Sequence, residues 1–211
     1  MRIKLLDMKS EMALEWKKYI PNQDHIEILE NTNVKTYTHS KNITFVSPSN
    51  SLLFFDGGID YVYSRVMFLN LEKDAKQMVK DTGLLSKLGR PLLPIGETLT
   101  IPLKNNNYMI CSPTMMMPQN VRNTQNAYYA TKAALLAAKQ NNIEQLIIPG
   151  MCTGYGKMTC EEAAKQMAKA ITEFYKDDYN LPSRENILAE QPNYYENTEF
   201  KDIDVTDIIL H

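Results

Sequence analysis

The chain has 211 residues, 44% hydrophobic and 23% charged, with a formal net charge of −2 from 23 basic and 25 acidic side chains. That length suits one domain, or one domain plus a tail. The near-neutral balance speaks against binding nucleic acid through bulk charge, because such domains are usually basic. No apolar run approaches a membrane span: the longest is Ala133–Ala138, bracketed by Lys132 and Lys139.

The N-terminus runs from Met1 straight into Asp7, Lys9 and Glu11, which interrupts the apolar centre a secretory signal needs. Cys111, Cys152 and Cys160 form neither a paired framework nor a metal spacing. A reducing compartment, cytoplasm or nucleus, is the simplest setting for such thiols.

In chain order, Arg2–Leu6 reads as a short strand and Ser10–Ile20 as a helix with Met12, Trp16, Tyr19 and Ile20 on one face. Ser10 is the predicted cap, and Pro21 stops the helix. His25–Leu29 reads as a second strand, and Lys35–Thr38 as a brief extended piece in a polar stretch. Ile43–Val46 is a third strand, emptying into the loop Ser47–Ser51. Ile59–Phe68 and Leu71–Thr82 are predicted helices, the second ended by Gly83.

Strands are expected at Gly96–Ile101 and Tyr108–Ser112, then a long alanine-rich helix at Val121–Asn141. A buried strand, Leu146–Ile148, and a helix, Cys160–Tyr175, follow; Ala163, Met167, Ala170, Ile171 and Phe174 form the helix's core stripe. Beyond Asp177 the pattern weakens, and Ile203–Leu210 reads as a final strand or packed tail. Strands alternating with helices imply a mixed, mostly parallel sheet covered on both faces.

Three loops after predicted strands carry the chemistry, where ligands of open α/β sheets usually sit. The first is Pro149–Gly156, with Gly150, Gly154 and Gly156 in seven positions. Glycines let backbone N–H groups turn inward together, and such a concave set of donors binds phosphate oxygens without lysine. A helix start close behind adds its positive end. A plain tight turn between strand and helix is the competing reading. A nucleotide-triphosphatase P-loop fits poorly, because Gly150 and Gly156 are separated by five residues and Lys157 is followed by Met158.

The second loop runs from Ser47 to Asp60. Asn50 offers an amide suited to sugar hydroxyls, or acts only as a turn residue. Gly57 and Gly58 permit close approach of a ligand. Asp60 falls one turn into the next helix, where it faces the same pocket or merely complements the helix dipole. The third loop, Ser112–Pro118, brings three methionines, either core filler or a deformable wall.

Together and in this order the three segments resemble the macro domain family over Phe45–Phe174. The likeness rests on Ser49-Asn50-Ser51, Gly57-Gly58-Ile59-Asp60, Ser112-Pro113-Thr114 and the Pro149–Gly156 loop. The resemblance implies a three-layer α/β/α sandwich with a mixed, mostly parallel central sheet, as a macro-like domain at 1–178 and a C-terminal extension at 179–211. It implies ADP-ribose, free or on an ADP-ribosylated protein, as the ligand and partner.

By position, the resemblance puts Asn50 on the distal ribose, with Asp60 near the same sugar as general base or water-orienting group. Ser49, Gly57, Gly58 and Ile59 would complete that side of the site. Gly57, Gly58 and the loop Thr153, Gly154, Tyr155 and Gly156 would hold the diphosphate and ribose by backbone contacts, with Tyr155 also over the distal ribose and Gly150 and Cys152 as further ligand-binding residues. The family's aspartate for the adenine amino group has no counterpart in Leu29–Asn33, where Asn31 or Asn33 could serve as acceptor. The loop's first amide is also replaced, in Ser47-Pro48-Ser49-Asn50.

Within the resemblance a hydrolase of ADP-ribosyl bonds or of ADP-ribose 1″-phosphate competes with a reader that binds without turnover. An interaction protein that kept the fold and lost the ligand is the alternative outside both. His25, His39 and His211 sit in no zinc motif, and no motif calls for a metal or cofactor.

Overall fold

The strands form where short runs of apolar and β-branched side chains end in polar or glycine-containing turns. In the computed structural model, which describes residues 1–86 and 89–191, these runs are β1 (Arg2–Leu6), β2 (Ile26–Leu29), β3 (Thr44–Ser47), β4 (Leu99–Pro102), β5 (Tyr108–Cys111) and β6 (Gln145–Pro149). They lie in one sheet in the order β2-β1-β6-β3-β5-β4. Every pairing is parallel except β4 with β5. β4 is an edge strand, the place where Pro102 and its missing N–H are tolerated.

Side chains alternate across a strand, so the sheet has two apolar faces. Leu146 and Ile148 of β6 join one core with Ile3, Leu5, Val46 and Ile110. Ile147 joins the other with Leu6, Phe45, Met109 and Cys111. The first face is covered by α1 (Ser10–Tyr19), α4 (Asn126–Gln140) and α5 (Cys160–Tyr175). The second is covered by α2 (Gly58–Val62), the π-helical continuation Tyr63–Met67, and α3 (Leu71–Asp81). The result is the α/β/α layering and mixed, mostly parallel sheet that the sequence implied.

α4 is almost wholly buried, and its alanines at 127, 130, 134 and 138 let it lie close to the sheet and α5. It also buries Lys132 completely; the ammonium meets Glu173 of α5 at 2.8 Å, and Tyr128 donates its hydroxyl to the same carboxylate oxygen at 2.7 Å. A cation without water needs such a partner, since removing one member of a buried pair strands the other.

Local readings differ in four places. Ser10 does not cap α1: Lys9 occupies that position, and the Ser10 hydroxyl donates to Asn31 Oδ1 at 2.7 Å. The piece at Lys35–Thr38 is a 3₁₀ turn, Val34–Tyr37, because Asn33 Oδ1 accepts from Lys35 N and closes it. The long helix begins at Asn126, five residues after Val121, whose N–H is bound to Gly156 O. A further helix, α6 (Arg184–Ala189), starts at Ser183, whose Oγ accepts from Asn186 N. Its Ile187 is buried against Ile95, Tyr128 and Tyr129. The strand or tail expected at Ile203–Leu210 lies outside the described residues. Among the described residues no helix is long and apolar enough to cross a membrane.

Candidate functional site

The carboxyl ends of β1, β3, β5 and β6 empty on one side of the sheet, and the loops that follow surround a cleft of about 360 Å³. Of the residues singled out by sequence, Asn50, Gly57, Gly58, Ile59 and Asp60 line it from one side. Gly150, Cys152, Thr153, Gly154 and Tyr155 line it from the other. Ser49 and Gly156 do not line it: Ser49 is fully buried, and Gly156 lies behind the loop. The two glycine loops touch where a Cβ on Gly57 would come within 2.5 Å of Tyr155 Cε2. The absence of a side chain at Gly57 is what lets that ring lie there.

The Pro149–Gly156 loop is shaped by its own backbone. Cys152 takes the left-handed conformation (φ 63), and Met158 N donates to Cys152 O at 3.1 Å. A Cβ on Gly156 would sit 2.5 Å from that same carbonyl oxygen, so a side chain is excluded there. Gly150 N donates to Asp7 Oδ2 at 3.2 Å and is already satisfied. The N–H groups of Thr153, Gly154, Tyr155 and Gly156 have no hydrogen-bond partner among the described residues. A run of backbone donors without internal acceptors is the arrangement that takes up an anion.

Asn50 spends its amide on its own loop. Its Oδ1 accepts from Leu52 N at 3.1 Å and Phe54 N at 3.2 Å, and its Nδ2 donates to Phe54 O at 2.9 Å. An amide carries two Nδ2 hydrogens, and the bond to Phe54 O uses one of them. The same loop is stitched to the end of β5 by Thr114 N donating to Ser49 O and Ser51 N donating to Met115 O. The wall of the cleft is therefore held from two strands.

Asp60 is 8% exposed and accepts from Ser47 Oγ at 2.7 Å. Burial lifts its carboxyl from the ordinary 3.8 to about 7; the Ser47 hydroxyl opposes the shift and the charge of Asp56 adds to it. A carboxyl that titrates near neutrality can both take and return a proton. Cys152 is buried and its thiol is pushed far above its usual range, so its place in the loop does not make it a nucleophile.

Sequence reasoning passed over Asp7 and Lys9, which both line the cleft from the end of β1. Asp7 Oδ1 accepts from Lys9 N at 2.8 Å while Oδ2 takes Gly150 N, and Lys9 Nζ reaches Thr153 O at 2.9 Å. The rule that found the other loops, strand ends on the carboxyl side, also covers these two. Of the proposed adenine acceptors, Asn33 lines the cleft and Asn31 does not; both oxygens already accept bonds, from Lys35 N and Ser10 Oγ.

A doubly covered α/β sheet with a glycine loop at its carboxyl edge defines an α/β/α sandwich whose cleft lies outside the strand ends. The macro domain family profile matches residues 46–167, more than half of the chain, and the chain belongs to that family. An uncharacterized protein of Aquifex aeolicus is 28% identical over 131 residues, covering 61% of this chain and 72% of its own. An Oceanobacillus iheyensis macrodomain mutant with ADPR superposes with a TM-score of 0.54 at 19% identity, over 66% of this chain and 73% of its own. Thermosipho africanus DarTG in complex with ADP-ribose gives 0.51 at 12% identity, over 72% and 46% of the two chains. At these identities the two structures speak for the fold.

Proposed function

We propose that this chain binds ADP-ribose, free or attached to a protein, with the diphosphate on the amides of Thr153, Gly154 and Tyr155. The observation that carries this reading is the run of N–H groups at Thr153, Gly154 and Tyr155, without partners among the described residues, beside a cleft lined from the other side by Gly57 and Gly58. The ligand carried by the Oceanobacillus iheyensis macrodomain mutant and by Thermosipho africanus DarTG supports the same choice. Isothermal titration with ADP-ribose, ADP, AMP and NAD tests it. ADP-ribose should bind tightest; no heat with ADP-ribose at millimolar concentration sinks the reading and favours an interaction protein that has lost its ligand.

A second reading, turnover, is favoured by Asp60 alone, a carboxyl held near neutrality inside the cleft. In it Asp60 takes a proton from a water whose oxygen bonds to the anomeric carbon of the distal ribose. The bond from that carbon to the leaving oxygen breaks, and the proton ends on the leaving group. Asp60→Ala should lower hydrolysis by about a hundred- to ten-thousandfold while binding largely survives. A wild type inert on both ADP-ribosylated protein and ADP-ribose 1″-phosphate removes the enzyme branch and leaves the reader.

A further inference from the structure

The side chains of the cleft are oddly charged for an anion site. Asp7, Asp56 and Asp60 line it with carboxyls, and Lys9 carries the one positive side chain among the described residues that line it. A diphosphate entering this space meets neutral amide dipoles and up to three negative groups, so a single cation has a large share of the favourable field.

Lys9 is also placed with care. Its own N–H is held by Asp7 Oδ1 at 2.8 Å, and the other oxygen of that carboxylate holds Gly150 N at the start of the loop. The far end of the side chain then reaches across to Thr153 O at 2.9 Å. That contact does two things. Among the described residues the peptide bonds are all trans, so fixing the Thr153 carbonyl on one side sets the direction of the Gly154 N–H on the other. It also spends one of three ammonium hydrogens, leaving two for a ligand.

We infer that Lys9 is a phosphate-binding cation of the cleft, holding the glycine loop open through Thr153 O and pairing with the ligand's diphosphate. This rests on the ADP-ribose reading above and extends it. The lysine makes affinity depend on phosphate charge and on salt, which neutral amides alone do only weakly. A charge-assisted hydrogen bond at a partly exposed site is expected to contribute about tenfold in affinity.

The test compares wild type with Lys9→Gln and Lys9→Arg, titrated with ADP-ribose from low to high sodium chloride. Glutamine keeps a donor for Thr153 O and loses the charge; arginine keeps both. Lys9→Gln should bind ADP-ribose about tenfold more weakly at low salt, with a flatter salt dependence, and Lys9→Arg should recover most of the loss. Equal affinity and equal salt dependence for Lys9→Gln and wild type overturn the role of Lys9 while leaving ADP-ribose binding intact. A fall in affinity with an unchanged salt slope also overturns it, because the lysine then acts only on loop shape. A wild type that fails to bind ADP-ribose overturns both readings together.

Discussion

Replacing Asp60 by asparagine should make the protein more stable at neutral pH and above, and by an amount that follows from its burial. The folded carboxyl titrates at about 7 against an ordinary value of 3.8, because little water reaches it. Below pH 3.8 both the folded and unfolded chains hold the proton, and the group has no effect on stability. Between that value and about 7 the unfolded chain has released its proton while the folded chain has not. Stability then falls by about 1.4 kcal/mol for each pH unit. The total is about 4 kcal/mol, reached near pH 7 and constant above it.

Asparagine cannot titrate, and its amide oxygen can still accept from Ser47 Oγ. Urea unfolding of wild type and Asp60→Asn at pH values from about 5 to 8 should show the variant gaining about 3 kcal/mol on wild type across that range. Two stability curves that run parallel would mean the carboxyl is ionised throughout. Burial would then not control it, and the case for Asp60 as a proton carrier would go with it.

The same titration reaches ligand binding: ADP-ribose affinity measured by calorimetry should rise as pH falls from about 8 to 6, since a protonated Asp60 no longer repels a diphosphate, and Asp60→Asn should be flat. Gly156→Ala puts a Cβ 2.5 Å from Cys152 O and 2.8 Å from Val121 Cγ2, so a loss of about 1–3 kcal/mol in thermal unfolding and weaker ADP-ribose binding are expected. Gly57→Ala meets only the ring of exposed Tyr155; its stability should stay within about 0.5 kcal/mol of wild type while binding changes, and the reverse order of the two glycines refutes the geometry. Asn50→Ala strips partners from Leu52 N, Phe54 N and Phe54 O, with an expected cost of about 2 kcal/mol read from the urea midpoint.

Regular elements were legible where one periodicity dominated. β6 is apolar on both faces because helices cover both, and α5 shows its stripe from Ala163 to Phe174 in the sequence as in the structure. The misread pieces are those where a single hydrogen bond decides. Val34 and Thr36 favour extension, yet one acceptor on Asn33 folds them into a turn. Val121 has helical company, yet its N–H is taken by Gly156 O, which postpones the helix and anchors the Pro149–Gly156 loop. Pro182 suggests a break, and Ser183 then starts α6 directly after it.

At the site Gly150 and Gly156 stand where a Cβ would collide with its neighbours and were legible as a glycine loop, while Asp7 and Lys9 were not, because a charged pair before a helix reads as ordinary capping. Their role depends on β1 lying beside β6, a pairing across about 140 residues that local pattern does not encode.

That pairing brings the acidic side chain of Asp7, at the end of β1, beside the glycine loop, where the proposed ligand is an anion. A site that gripped phosphate with several lysines and arginines would hold inorganic phosphate, nucleotides and nucleic acid alike, since point charges discriminate little between them. Directed backbone amides demand a matching arrangement of oxygens, and neighbouring carboxylates penalise any anion that does not satisfy them. Asp7 serves both sides of this arrangement: it occupies Gly150 N, which leaves the donors from Thr153 onward for the ligand, and it anchors Lys9 at the mouth of the loop. With Asp60 half-titrated near neutrality, the charge opposing a diphosphate is itself adjustable. On the ADP-ribose reading, selectivity in this cleft would come from the geometry of amides against a mildly repulsive background, with one cation to offset it.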